Sequence, residues 1–328
     1  MKSFSLILNA LKITAAAVLA AALAAFCHLD FSVSAGIIAI LSIQPTKKET
    51  LWTAASRFAA FVCAVGIAFL CFSLLGYNLP AFGVYLFFFI GLCLRFGWNS
   101  AMAMDSVLIT HFLTTQDFSL SMAVNEFLLF VIGVSAGILV NLSLRKDTRG
   151  IERLKADTDN QIRKILSRMS ERVLTNDLTD YNGDCFQELW DDLGRARNLA
   201  ETNFGNALSG TDVVYDKEYL SMRTDQCHVL YEMYKEVRHL NTTPVQAQKI
   251  SSFLRKVSEE YDQNNTVEGL LKDLKILDDG MKQEPMPQSR AEFEDRARLF
   301  SLIGLLEEFL RIKNEFAMKY PNSDLSIR

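Results

Sequence analysis

Five ionisable side chains interrupt runs otherwise suited to hydrocarbon: Arg57, Arg95, Asp105, His111 and Glu126. Charged groups at membrane depth are costly, so they usually face protein or a water-filled path and mark function by default. Asp105 is the sharpest case, because a carboxylate within Ala101 to Phe112 lies near mid-bilayer if that segment spans, and there it has to be paired or protonated. A carboxylate and an imidazole on one helix can relay protons. Six residues apart, however, Asp105 and His111 point about 120° away from each other, so a direct pair between them is not expected. A structural polar contact is the competing account. Arg57 and Arg95 fall at the ends of their spans, where a guanidinium either attracts an anion or anchors the helix in the headgroup layer.

Helices in hydrocarbon associate through small residues and interhelical hydrogen bonds, and the last apolar run is built that way. At 100° per residue, Gly133 and Gly137 lie within about 20° of Glu126 and Asn141 within about 60°, so one face carries a carboxylate, a GxxxG and an amide. Ala17, Ala21 and Ala25 offer a similar small face on the first run.

Nothing else in the chain reads as catalytic. It has no GxSxG, no phosphate-binding glycine loop with lysine, no HExxH and no dinucleotide fingerprint, so an enzyme is not expected and no cofactor or metal is called for. The six cysteines form no CxxC pair and read as small buried hydrophobes, and His228 and His239 read as ordinary helix residues. A net charge of −4 gives no basic stripe for a nucleic-acid partner.

The elements that position these residues divide the chain in two. Only eleven charges precede Arg145, whereas the remainder is densely charged and mildly acidic. Before that point six apolar segments are candidate spans: Ile13 to Phe26, Phe31 to Ile43, Phe58 to Leu75, Pro80 to Leu94, Ala101 to Phe112 and Ala123 to Leu144. The second and fifth are short enough to be a hairpin or re-entrant pair instead. Lys2 and Lys12, then Lys47, Lys48 and Arg57, then Arg95, then Arg145, Lys146 and Arg149 occupy alternate loops, and the opposite loops hold no Lys or Arg. Basic loops stay cytoplasmic, so both termini are predicted to be cytoplasmic.

Beyond Asn141 the apolar residues take the spacing of soluble amphipathic helices, with stripes through Ile151 to Val173, Phe186 to Phe204, Tyr219 to Val237 and, after a capping box at Ser289 and Glu292, Phe293, Phe300, Leu306 and Leu310. The span from Asp278 to Gln288 reads as a linker. The expected fold is all-α: a six-helix transmembrane bundle over 1–144 followed by a cytoplasmic helical-bundle domain over 145–328.

Particular residues also carry a family resemblance. The stretch GIIAILSIQPTKKETLWTAASRFAAFVCAVGI from Gly36 to Ile67, with Gln44, Pro45, Thr46 and Arg57, resembles the bacterial aromatic acid exporter family, relatives of fusaric-acid-resistance permeases. NEFLLFVIGVSAGILVN from Asn125 to Asn141 resembles the last membrane helix of that family, and His111 resembles a family histidine. FEDRARLFSLIGLLEEFLRIKNEF resembles the family's C-terminal domain. The resemblance implies efflux of small aromatic or organic acid anions, driven by proton movement, in a bacterial plasma membrane. It also implies a homodimer, since better-known relatives resemble two six-span units joined. The pathway would then use Arg57, Arg95, Asp105, His111, Glu126 and Asn141. The alternative is a membrane-anchored regulatory or scaffold protein acting through its cytoplasmic helices.

Overall fold

A computed structural model describes residues 2–144, 146–175, 181–207, 210–262 and 265–321. Arg145, one of the basic residues that orient the last span, lies outside them. Among the described residues the chain is entirely helical. The helices are α1 (Lys2–Phe26), α2 (Val33–Ser42), α3 (Lys47–Leu75), α4 (Leu79–Phe96), α5 (Met102–Thr115), α6 (Leu120–Leu142), α7 (Thr148–Arg172), α8 (Asp184–Asn206), α9 (Thr211–Arg238), α10 (Val245–Glu260), α11 (Glu268–Lys282) and α12 (Arg290–Lys319). They divide into two compact units, Met1–Lys146 with Gly205–Leu208, and Asp147–Phe204 with Ser209–Arg328.

The first unit is inside-out by the standards of a water-soluble protein. Its exposed side chains are large and apolar, among them Leu19, Phe26, Leu74, Phe87 and Leu139, while its interior is rich in alanine at 20, 24, 35, 39, 60, 64 and 68. That is the arrangement hydrocarbon favours, since lipid rewards close packing rather than apolar burial. Four helices are long and apolar enough to cross a membrane: Ile7–Phe26 within α1, α3, α4 and α6.

The second and fifth expected segments are short helices, as their sequence lengths implied. At 1.5 Å per residue, the ten residues of α2 reach about 15 Å and the fourteen of α5 about 21 Å, against a core about 30 Å thick. Helix α2 ends where Ile43 turns extended, and α5 ends where Gln116 enters the left-handed region at φ 54°. Thr46 caps α3 by accepting from the Glu49 amide, Asn78 caps α4 ahead of Pro80, and Gly97 ends α4 in the left-handed region at φ 73°.

Helix α2 packs against both α1 and α6. Gly36 sits so close to α1 that a Cβ there would lie 2.7 Å from the Ala17 carbonyl oxygen. A Cβ on Gly133 would lie 2.5 Å from Ile38 Cβ, and one on Gly137 2.5 Å from Ser42 Cβ. The small face of α1 is turned slightly from the expected one: Ala16, Ala20 and Ala24 are buried, Ala17 and Ala21 half-buried, and Ala25 exposed.

The second unit obeys the rules of water. Its helices bury one apolar face each, and leucine, isoleucine and aromatic residues from α7 to α12 share a single core. Ser289 and Glu292 close the expected capping box, the serine accepting from the Glu292 amide and the glutamate from the Gln288 amide.

Through this core runs a polar network with no counterpart in the sequence reading. Arg223 is wholly buried and donates to Asp159, Tyr219, Gln226 and Tyr261, and Asp159 also accepts from Tyr219. The rings of Tyr219 and Tyr261 each centre 4.7 Å from the guanidinium carbon. Beside them Lys313 Nζ is buried without an acceptor, 4.7 Å from the centre of the Tyr261 ring.

Burial first, and the nearby Arg223 second, push the Lys313 ammonium down to about 7, with Asp159 and Asp262 opposing. A lysine in an unfolded chain titrates near about 10.4, so between about pH 7 and that value the unfolded state binds one more proton than the folded one. The burial penalty is therefore complete below about pH 7 and is relieved as pH rises. Stability of this unit is expected to climb by up to about 1.4 kcal/mol per pH unit in that window, relative to Lys313→Met, which removes the titration. Denaturant unfolding of both proteins across the window measures it; parallel pH profiles would show that Lys313 is hydrated.

Candidate functional site

Of the predicted polar residues in the first unit, His111 and Glu126 fall in one buried cluster and Arg57 and Asp105 in a second, Asn141 is buried apart from both, and Arg95 is exposed. In the first cluster His111, on α5, has Nδ1 2.7 Å from Glu126 Oε2, on α6. An ionised Glu126 can only accept, which places the hydrogen of this contact on Nδ1, and Nε2 lies 3.2 Å from Ser34 Oγ. The other carboxylate oxygen accepts from Asn125 Nδ2 at 3.0 Å, and Asn125 is tied to the Asp30 backbone in both directions. Phe31 stacks on the imidazole, with ring centres 4.1 Å apart and planes 5° from parallel.

Asp105 belongs to the second cluster, about a third of a turn around α5 from His111, as the helix wheel requires. Its side chain is wholly buried and neither carboxyl oxygen has a hydrogen-bond partner. The buried Arg57 of α3 lies within electrostatic reach of it and donates to Ser42 Oγ at 3.1 Å and to the Leu41 carbonyl at 2.8 Å, which leaves its Nε unpaired. Tyr85, wholly buried on α4, holds its hydroxyl beside Ser106 and within electrostatic reach of Asp105.

The remaining candidates are structural or peripheral. Asn141 donates to the Gln44 carbonyl at 2.9 Å and to the Thr50 hydroxyl, fixing the link between α2 and α3. Arg95 stands exposed in the last turn of α4, its guanidinium carbon 5.9 Å from the centre of the Phe96 ring. Gly133 and Gly137 share the buried face of α6 with Glu126 and Asn141.

Comparison with known proteins places this arrangement. Residues 4–144 match "Aromatic acid exporter family member 1", and residues 148–314 match "Putative aromatic acid exporter C-terminal domain". The chain belongs to the aromatic acid exporter family. It is 29% identical over 289 residues to the uncharacterised protein YqjA of Bacillus subtilis (strain 168), covering 88% of this chain and 89% of that one. A crystal structure titled as that of a "putative membrane protein" from Clostridium difficile 630 aligns with a TM-score of 0.46 and 26% identity, covering 51% of this chain and 99% of the other.

As an aromatic acid exporter family member with several long apolar helices, the protein is a multi-pass membrane protein. Of the residues that carried the resemblance, Thr46 caps α3 and the Gln44 carbonyl receives Asn141, while Arg57 belongs to the second cluster. Ser34, Asn125 and Tyr85 were not singled out in the sequence. One adjacent signal existed for Asn125, since it precedes Glu126 at the same end of α6. A lone serine or tyrosine in an apolar helix gives none.

The second unit carries a polar cleft of about 890 Å³ between α7 and α8, where Lys164, Arg168 and Arg195 alternate with Glu171, Glu188 and Asp192.

Proposed function

We propose that this protein exports small aromatic or other organic acid anions from the bacterial cytoplasm in a cycle coupled to proton movement. One observation supports the reading above the rest: a unit whose surface is apolar encloses Arg57, Asp105, His111 and Glu126, groups too costly to bury in hydrocarbon without a use. In this reading 1–144 form a six-helix bundle with both termini inside, the short α2 and α5 being held within it rather than each spanning alone. Residues 145–328 form a cytoplasmic domain. Arg57 and Arg95 draw the anion inward from the cytoplasmic side, and Asp105, then His111 with Glu126, line the path outward. A homodimer completes the arrangement, matching relatives that resemble two such units joined.

Arg57→Gln is expected to lower export of labelled benzoate at least about tenfold in cells containing equal amounts of protein, while Arg95→Gln, at an exposed position, lowers it less. Accumulation assays with and without an imposed pH gradient provide the measurement. Unchanged accumulation in the double Gln variant would remove the anion path from this reading. The alternative, a regulatory scaffold, finds support in the charged cleft between α7 and α8, and would be preferred if no acid is moved by the native protein.

A further inference from the structure

Buried polar groups are almost always hydrogen-bonded, so unpaired ones that converge call for an absent partner. Three do so here. Arg57 Nε and both oxygens of Asp105 are sealed from solvent without hydrogen bonds, and so is the Tyr85 hydroxyl apart from the Ser106 side chain beside it, although Arg57 and Tyr85 both lie within electrostatic reach of Asp105. They come from three different helices, α3, α4 and α5, so the shortfall is not the local geometry of one turn. Resting on the exporter reading, we propose that these three groups form the binding site for the carboxylate of the transported acid, and that the anion enters it together with one proton taken up by Asp105.

The chemistry of the set fits one carboxylate. Arg57 offers an N–H at Nε, its other nitrogens being held by Ser42 and Leu41, and Tyr85 offers an O–H. An ionised Asp105 can only accept and repels an anion, whereas the neutral acid supplies the third donor. Charge balance points the same way.

Arg57 and Asp105 cancel each other, so a bare anion leaves one uncompensated negative charge in a low-dielectric interior. A proton moving from water onto Asp105 restores neutrality, and no bond other than that O–H is made or broken. Of the other elements beside α5, α4 contributes Tyr85 and Cys93, α2 carries no charged residue, and α6 brings Glu126, which is paired with His111 on another face of α5.

The test is benzoate binding to the purified full-length protein in nanodiscs, by calorimetry at about pH 6 and about pH 8, in two buffers of different ionisation enthalpy so that proton uptake is counted directly. Benzoate stays ionised throughout. Uptake of a proton makes wild-type affinity fall with rising pH, by up to about tenfold per pH unit wherever Asp105 is ionised in the unliganded protein. Asp105→Asn is expected to bind with no proton uptake and no pH slope. Tyr85→Phe is expected to weaken binding about fivefold at both pH values with the slope kept, the loss of one hydrogen bond.

An Asp105→Asn variant that keeps the wild-type slope, or a Tyr85→Phe variant that binds as the wild type does, overturns the site. If that happens while the native protein still exports acids, the exporter reading survives alone. If the native protein neither binds nor exports any aromatic acid, both fall together.

Discussion

Leucine in place of Gly133 is expected to remove the folded protein almost completely, the largest effect of any single substitution in the first unit. The new Cβ alone would stand 2.5 Å from Ile38 Cβ and Cγ2 and 2.7 Å from the Ala35 carbonyl oxygen, and the last of these is backbone that cannot swing aside. Overpacking a core commonly costs about 1–3 kcal/mol, and here α6 must also separate from α2 along its length, so a loss above about 3 kcal/mol is expected. The consequences reach the site, because α6 carries Glu126 and Asn125 and α2 follows Asp30 and carries Ser34.

Gly83→Ala and Gly91→Ala, whose added methyl groups meet nothing within 4 Å, should be silent. Yield of monodisperse protein and melting temperature in one detergent compare all three. A Gly133→Leu protein that melts within a few degrees of wild type would mean that α2 and α6 are not in contact in the membrane.

How much of this could be read from the sequence depends on whether the deciding interaction lies within one helix or between helices. The face of α6 was legible because Glu126, Gly133, Gly137 and Asn141 sit at helical spacing on a single element, and all four are buried. The divergence of Asp105 and His111 was legible for the same reason. Their partners were not. Glu126 lies beyond a turn and Arg57 two helices away, and nothing in one sequence says which helices become neighbours.

The shortness of α2 and α5 was legible too: the expected segments 31–43 and 101–112 match Val33–Ser42 and Met102–Thr115 to within three residues at each end. In the second unit α11 occupies Glu268–Lys282, overlapping the expected linker from Asp278, because Gly280 was read as a break and is tolerated inside the helix. The stripe assigned to α12 was also partly misplaced. Phe293 and Phe300 are exposed, while Leu299, Leu302, Ile303 and Phe309 make the buried face with Leu306 and Leu310. Large aromatic residues drew the eye, although size does not fix the phase of a helix.

Asp159→Ala is expected to be the most damaging change in the second unit, although Asp159 lies on a helix surface that sequence alone marks as ordinary. Arg223 is wholly buried, and burial works against its charge, yet Asp159 and the two tyrosines more than compensate and hold its titration well above the usual range for arginine. Removing the carboxylate strands that guanidinium beside Lys313, whose ammonium already lacks an acceptor. Breaking one side of a buried ion pair typically costs about 3–5 kcal/mol, whereas replacing both partners by apolar residues of similar size is often neutral.

The double variant Asp159→Leu with Arg223→Met should therefore recover most of what the single one loses, and hydrogen exchange of α9 amides under mild denaturant in the full-length protein reads both. A single-variant loss under about 1 kcal/mol would mean that water reaches Arg223. Recovery of stability in the double variant separates two uses of the network. If export recovers as well, the buried charges serve only to hold the helices in register. If the double variant is stable but no longer exports, they transmit something the fold alone does not need, and the second unit takes part in the transport cycle.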